Sequence, residues 1–194
     1  MKTLKTFSNW IPILAIAVLG FLALRQWQPA AMLNSRPQSE YYQVIRVSDG
    51  DTIAVRSLNT GQEARIRLAC IDAPEVAHDG QPGQPIGEES KANLKRWIDQ
   101  AKGEVIVQEV DRDRYGRIVG EVFIQHPKPS QPEEELLLNA EQVRDGMAYV
   151  YRKYAKSCSQ VEIFDDLEKT AKASRKGVWA GNYQKPWDFR QSMK

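Results

Sequence analysis

A chain of 194 residues with 42% apolar and 27% charged side chains has room for one ordinary domain and an appendage, and is too apolar for wholesale disorder. Its net charge of +2, with an isoelectric point near 8.5, permits a nucleic-acid partner without arguing for one. Two distant cysteines, Cys70 and Cys158, and two histidines, His78 and His126, in Gly/Pro-rich loops exclude the spacing of a zinc site.

Residues 1–9 are polar and include Lys2 and Lys5; an apolar run from Ile11 to Leu24 follows, bracketed by Trp10 and Trp27. Counted over 10–27, the run reaches the lower limit of about 17 residues for a membrane-spanning helix, with indoles at the interfaces. A cleaved signal peptide has the same charged start and short apolar region, but no clean small-x-small site follows Arg25. An uncleaved anchor is the preferred reading, with a signal peptide and a core helix as alternatives. Residues 28–40 are polar and aperiodic, contain Pro37, and read as a linker.

The folded domain is expected over 41–190. Tyr41–Val47 and Ile53–Arg56 are β-rich runs either side of an Asp49-Gly50 turn, the pattern of a hairpin. After a turn at Asn59-Thr60-Gly61, Ile66, Leu68 and Cys70 alternate with Arg67 and Ala69, the period of a half-buried strand that points Arg67 away from the core. Pro74 biases Ala73 toward an extended conformation, so the chain leaves the sheet at a kink flanked by Asp72 and Glu75. His78–Gly87 is a Gly/Pro-dense loop. Leu94, Trp97, Ile98 and Ala101 then mark one face of a helix over 88–101.

Val105–Val107 and Ile118–Ile124 read as two further strands around Asp111–Arg117, and 127–132 as a loop. A second helix ends near Asp145 before Gly146. A third runs from about Val161 to Lys176, stopped by Gly177. The predicted class is α+β, mainly β: a five-stranded barrel of the OB type with three helices, preceded by the N-terminal hydrophobic anchor helix.

Asp51, Asp72 and Glu75 lie at loops that a small barrel can bring together; Asp49 is better read as the cap of its turn. Carboxylates without His or Cys suit Ca²⁺ or Mg²⁺. Guanidinium forks, available from Arg67 and Arg117, match phosphate oxygens bidentately. A metal, two arginines and one spare carboxylate are what phosphodiester hydrolysis needs. Trp97 and Trp179 are expected in the core, and His78 in solvent.

Asp49-Gly50-Asp51-Thr52, Arg67-Leu68-x-x-x-Asp72-x-Pro74-Glu75, Asp113-Arg114-Tyr115-Gly116-Arg117 and Gly177-Val178-Trp179 occur in this order. Together they resemble the staphylococcal nuclease (thermonuclease) family, over about Val44 to Trp179. The resemblance implies an OB-fold domain in which Asp51, Asp72 and the backbone carbonyl of Ala73 hold Ca²⁺. By the same likeness Glu75 is the general base, and Arg67 and Arg117 clamp the phosphate. Arg114, Tyr115 and a tyrosine among Tyr149, Tyr151 and Tyr154 would contact the nucleic acid. Family members cut DNA and RNA with little sequence preference and leave 3′-phosphates.

The chain departs from the family's best-known member at Ala73, where that member has threonine, at Arg114, which replaces a lysine, and in a longer loop at 127–132. The rival reading is a nuclease-like binding module with an eroded catalytic set, but here the set is complete. The substrate partner is then DNA and/or RNA, the membrane is a partner through the N-terminal segment, and a monomer without a protein partner is expected. The expected location is extracytoplasmic, membrane-anchored, or secreted if the segment is cleaved. There Cys70 and Cys158 are a possible disulfide, since in the resembling fold the loop carrying Cys158 packs over that part of the barrel; two free thiols are the alternative.

Overall fold

The computed structural model describes residues 39–193, apart from 79, 129, 131–133, 155–157 and 160. Strands β1 (Ser39–Val47), β2 (Thr52–Ser57) and β3 (Glu63–Leu68) form an antiparallel meander. A two-residue strand β4 (Ile71–Asp72) and helix α1 (Gly87–Gln100) follow. Next come β5 (Glu104–Arg112), β6 (Ile118–Gln125) and β7 (Glu135–Leu137), then helix α2 (Leu138–Arg144) and β8 (Tyr149–Val150). The chain ends in α3 (Val161–Ala173), a 3-10 turn at Gly177–Trp179, and α4 (Pro186–Ser192).

β5 pairs with β1 and with β6, and β6 pairs in parallel with β3, Ile66 opposite Ile118 and Leu68 opposite Gly120. That last pairing closes five strands into a barrel, with β7 as an extension on β6. The interior is filled by the alternate residues the pattern marks: Ile53, Val55, Ile66, Leu68, Val105, Val107, Val122 and Ile124 are all buried. The five-stranded OB-type barrel of the α+β class is therefore as expected, and among the described residues four α-helices accompany it where three were expected. β1 also begins at Ser39, inside the stretch read as linker.

The strand expected to run unbroken from Ile66 into the kink is two pieces. β3 ends at Leu68, whose N–H donates to Asp51 O at 2.8 Å; Cys70 then takes a left-handed conformation with φ 69°. Such a conformation costs a side-chain-bearing residue about 1 kcal/mol. It breaks the alternation, so Leu68 to Ala73 are all buried and Ile71-Asp72 pair with β8. Cys70 is joined to Cys158 as a disulfide, with Cα atoms 6.2 Å apart. Ser159 beside it donates its N–H and its hydroxyl to buried Glu121, at 2.8–2.9 Å. The start of α3 is thus tied to the barrel at two adjacent points.

Two buried amides seat α2 on the barrel. Asn139 Nδ2 donates to Ala69 O (2.9 Å) and Gly120 O (3.1 Å), and its Oδ1 accepts from Val122 N (2.9 Å). Gln142 Nε2 donates to Gly50 O at 2.7 Å and to Ser90 O at 3.1 Å. The anchor expected at 10–27 lies outside the described residues. No helix among the described residues is long and apolar enough to cross a membrane.

Asn139 thus satisfies three main-chain groups that water cannot reach. Asn139→Ala takes this partner from Ala69 O and Val122 N, while Gly120 O keeps its bond from Ala69 N, and stability should fall by about 2–4 kcal/mol. Urea unfolding checks this: the midpoint should drop while the slope stays constant.

Candidate active site

The first acidic turn is built by its own side chains. Asp49 Oδ1 accepts from Asp51 N at 2.9 Å, the turn-capping role expected of it, and Ser48 N donates to Thr52 O at 2.9 Å. Gly50 is required because a Cβ there would lie 1.8 Å from Ser90 Oγ on α1. With helix and turn in such close contact, the Asp51 carboxylate points inward. Its Oδ2 accepts from Ala73 N at 2.6 Å and its Oδ1 from Thr52 Oγ1 at 3.1 Å.

Asp72 arrives from the other side of the kink, fully buried. Arg67 on β3 joins the two acids: Nη1 sits 2.8 Å from Asp51 Oδ2 and Nη2 2.7 Å from Asp72 Oδ1. Burial pushes the Asp72 carboxyl up, as does the Asp51 charge, while Arg190 and Arg67 pull it back; it settles at about 6. Asp49 is also raised, first by burial and then by Asp51. The edge holds more negative charge than its arginines offset.

Glu75 is fixed by a segment that the sequence presents only as a breakable loop. Gln84 Oε1 accepts from Glu75 N at 3.1 Å, Gln84 N donates to Glu75 O at 2.8 Å, and Gln84 Nε2 donates to Gln184 O at 2.8 Å. Gly87 must be glycine, since a Cβ would stand 2.3 Å from Glu75 O. Gln84 was not among the expected site residues, and no spacing signal marks it.

Arg117 immediately precedes Ile118, the first residue of β6, which pairs with Ile66 on the strand that carries Arg67. Its guanidinium is engaged by Asp113, Nε to Oδ2 at 2.7 Å, while Asp113 Oδ1 accepts from Tyr115 N (2.9 Å) and Arg117 N (3.0 Å). Burial opposes it, but these bonds hold the Asp113 carboxyl below its ordinary range. Tyr115, 61% exposed, accepts a hydrogen bond from Arg114 Nη2 at 2.7 Å.

The three candidate tyrosines divide. Tyr149 is a correction: it is 1% exposed and donates its hydroxyl to Val178 O at 3.1 Å, so it faces the core and cannot meet a ligand. Tyr151 stacks on Trp187 with centroids 5.4 Å apart. Tyr154 is 51% exposed and close enough to Arg114 to act on its charge.

Arg190, on the unexpected α4, is the largest addition to the site. Its Nη2 lies 2.8 Å from Asp72 Oδ2, and its Nη1 lies 3.1 Å from Asp72 Oδ1 and 2.5 Å from Glu75 Oε1. Pro186 opens the helix, Trp187 stacks on Tyr151, and Lys185 Nζ sits 3.6 Å above the Tyr149 ring and 4.2 Å from that of Trp179. A proline at the first helical position followed by an aromatic and a late cation was the available signal, beyond the last quoted motif.

Asp51 and Asp72, brought to one guanidinium, offer the hard oxygen donors that Ca²⁺ or Mg²⁺ takes, so the donor set fits in kind. Among the described residues no three of His, Cys, Asp and Glu form a ready cage, which leaves the remaining positions to main-chain oxygens and water.

A closed OB-type barrel with carboxylates and arginines at one edge is the structural class, and its activity is read from relatives. The family profile described as "Staphylococcal nuclease homologue" matches residues 65–181. The chain is 37% identical to "Micrococcal nuclease" of Shigella flexneri over 78% of its length and 81% of the relative's. It is 34% identical to "Endonuclease Htp3" of Saprolegnia parasitica (88% and 90% covered) and 28% identical to "Thermonuclease" of Staphylococcus hyicus (88% and 94%). The chain belongs to the staphylococcal nuclease family and is a nuclease of that family.

Asp113 holds the Arg117 guanidinium and also braces the turn through Tyr115 N. Asp113→Ala should lower kcat/KM for nucleic-acid cleavage by about ten- to a hundredfold, since small misplacements of a charge-stabilising group are expensive. Stability should change by only about 1 kcal/mol. Steady-state kinetics beside thermal melts check both halves.

Proposed function

We propose that the protein is a calcium-dependent endonuclease that hydrolyses DNA and/or RNA with little sequence preference and leaves 3′-phosphates. The observation that carries this reading is the single Arg67 guanidinium bridging Asp51 at 2.8 Å and Asp72 at 2.7 Å, one acid from the β1–β2 turn and one from β4, with Glu75 beyond the kink. Asp51, Asp72 and the Ala73 main chain would hold the metal, which supplies electrophilic stabilisation of phosphate oxygens when bound.

Glu75, oriented by Gln84 through its main chain, takes the proton from the attacking water. Arg67 and Arg117 offer guanidinium N–H groups to oxygens that gain charge at phosphorus. Arg114, Tyr115 and Tyr154 make an exposed cationic and aromatic surface for the strand, where stacking tolerates any base. The likeness to family members supports the lack of sequence preference and the 3′-phosphate product.

An extracytoplasmic location belongs to the same proposal. An unspecific nuclease in the cytosol meets the cell's own nucleic acids, and calcium sites of this open, carboxylate-poor kind suit compartments rich in Ca²⁺. The Cys70–Cys158 pair is in keeping with an oxidising compartment. Protease shaving of intact cells should remove the nuclease domain; full protection would place it inside.

Incubating the full chain with plasmid DNA and with RNA, in Ca²⁺ and then in chelator, tests the activity. Cleavage should stop in chelator, and end-labelling should find 3′-phosphates. Glu75→Gln keeps the shape and removes the proton acceptor, and kcat should fall by about 10²–10⁴. A Gln variant with wild-type kcat would take the base role from Glu75.

A further inference from the structure

α4 lies beyond the residues the family profile covers, 65–181, yet its Arg190 makes three hydrogen bonds to the carboxylates of the candidate site. Its fork lies on Asp72, with Nη2 2.8 Å from Oδ2 and Nη1 3.1 Å from Oδ1. Arg67 takes Oδ1 as well, at 2.7 Å. Both oxygens of Asp72 therefore carry guanidinium N–H groups, and Glu75 Oε1 is bonded to Arg190 at 2.5 Å. A wholly buried carboxylate cannot be left without a counter-charge at any moderate cost. In this arrangement Arg67 and Arg190 supply it together.

We infer that Arg190 is the resident counter-cation of the site, and that a divalent, oxygen-preferring cation and the Arg190 fork occupy Asp72 in exchange for one another. The inference rests on the nuclease reading above. A divalent ion needs an oxygen of Asp72 at roughly 2.3–2.6 Å. A guanidinium held on that same oxygen would face two positive charges across a few ångströms of poorly screened space.

The anchoring of α4 allows the exchange. Trp187 stacks on Tyr151 and Lys185 sits over Tyr149 and Trp179, so the helix is held at its start by contacts that do not involve Arg190. The Arg190 side chain is 40% exposed at the other end and has solvent to swing into. Leaving Asp72, it also leaves Glu75, so loading the metal frees the carboxylate that must accept a proton. In the unloaded site the same fork offsets part of the Asp72 charge and keeps Glu75 engaged.

Calcium titration calorimetry on the full chain tests this, comparing wild type, Arg190→Gln and Arg190→Lys. Arg190→Gln should bind Ca²⁺ at least about tenfold more tightly, because a competing charge is gone, and Arg190→Lys, which keeps the charge without the fork, should fall between. Without metal the Gln variant should melt lower than wild type, and added Ca²⁺ should raise its melting temperature further than it raises wild type's. Equal or weaker Ca²⁺ binding by the Gln variant overturns the exchange, and weaker binding would make Arg190 a positioning residue of the loaded site. No saturable Ca²⁺ binding by any of the three overturns the exchange together with the calcium dependence proposed above. If the Gln variant does not fold, the Lys variant alone decides: tighter binding supports the exchange and unchanged or weaker binding ends it.

Discussion

Arg67 between Asp51 and Asp72 is the contact on which the rest of the site depends. Two carboxylates, one in the β1–β2 turn and one on β4 and wholly removed from water, would repel each other and resist burial if alone. The guanidinium is planar, permanently charged and wide enough to bond one oxygen of each, 2.8 Å and 2.7 Å away. Barrel closure makes this possible, because the parallel pairing of β3 with β6 fixes Arg67 at Val119 and holds its strand against the sheet. Replacing that cation with any neutral residue would leave a buried acid pair that the fold has no other means to offset from β3.

Around this contact Asp51, Glu75 and Arg117 are each held by a group to which no chemical step is assigned. Asp51 is aimed by the Asp49 cap and by Gly50 under α1, and Glu75 by Gln84 and Gly87. Arg117 is held by Asp113 and the base of the barrel by Asn139. Most of these partners are buried amides or main-chain groups, so they lose little freedom when a substrate arrives. A site preorganised in this way meets developing charge without having to rearrange for it.

The barrel was legible because its signals are local. Alternating Ile, Val and Leu over short runs, an Asp-Gly turn and glycine stops specify strands and helix ends without reference to distant residues. The acidic and arginine positions were legible for the same reason, since strand ends and kinks carry them to one edge. Cys70 defeated the pattern because a left-handed residue inside an apolar run changes which residues face inward, and alternation cannot announce that. Tyr149 sits three residues beyond Gly146 in a tyrosine-rich stretch where sequence alone cannot separate the buried ring from the exposed ones. Gln84 and Arg190 were missed because each acts across a large separation, 9 and more than 100 residues from the groups they bond, with nothing local to mark them.

The tail after Trp179 changes how the catalytic edge should be understood. Without α4, the surplus of carboxylates over arginines would face open solvent, and Asp72 would rest on Arg67 alone. With it, a lysine over two aromatic rings and a stacked tryptophan bring a second guanidinium to the same acid. Tyr149 and Tyr151 pack against that helix. Tyr115 and Tyr154 are more than half exposed, and Arg114 donates to the Tyr115 hydroxyl. On the proposed reading, contact with the substrate and anchoring of the tail therefore fall to different aromatic residues, and the tail can adjust the acids without obstructing the strand.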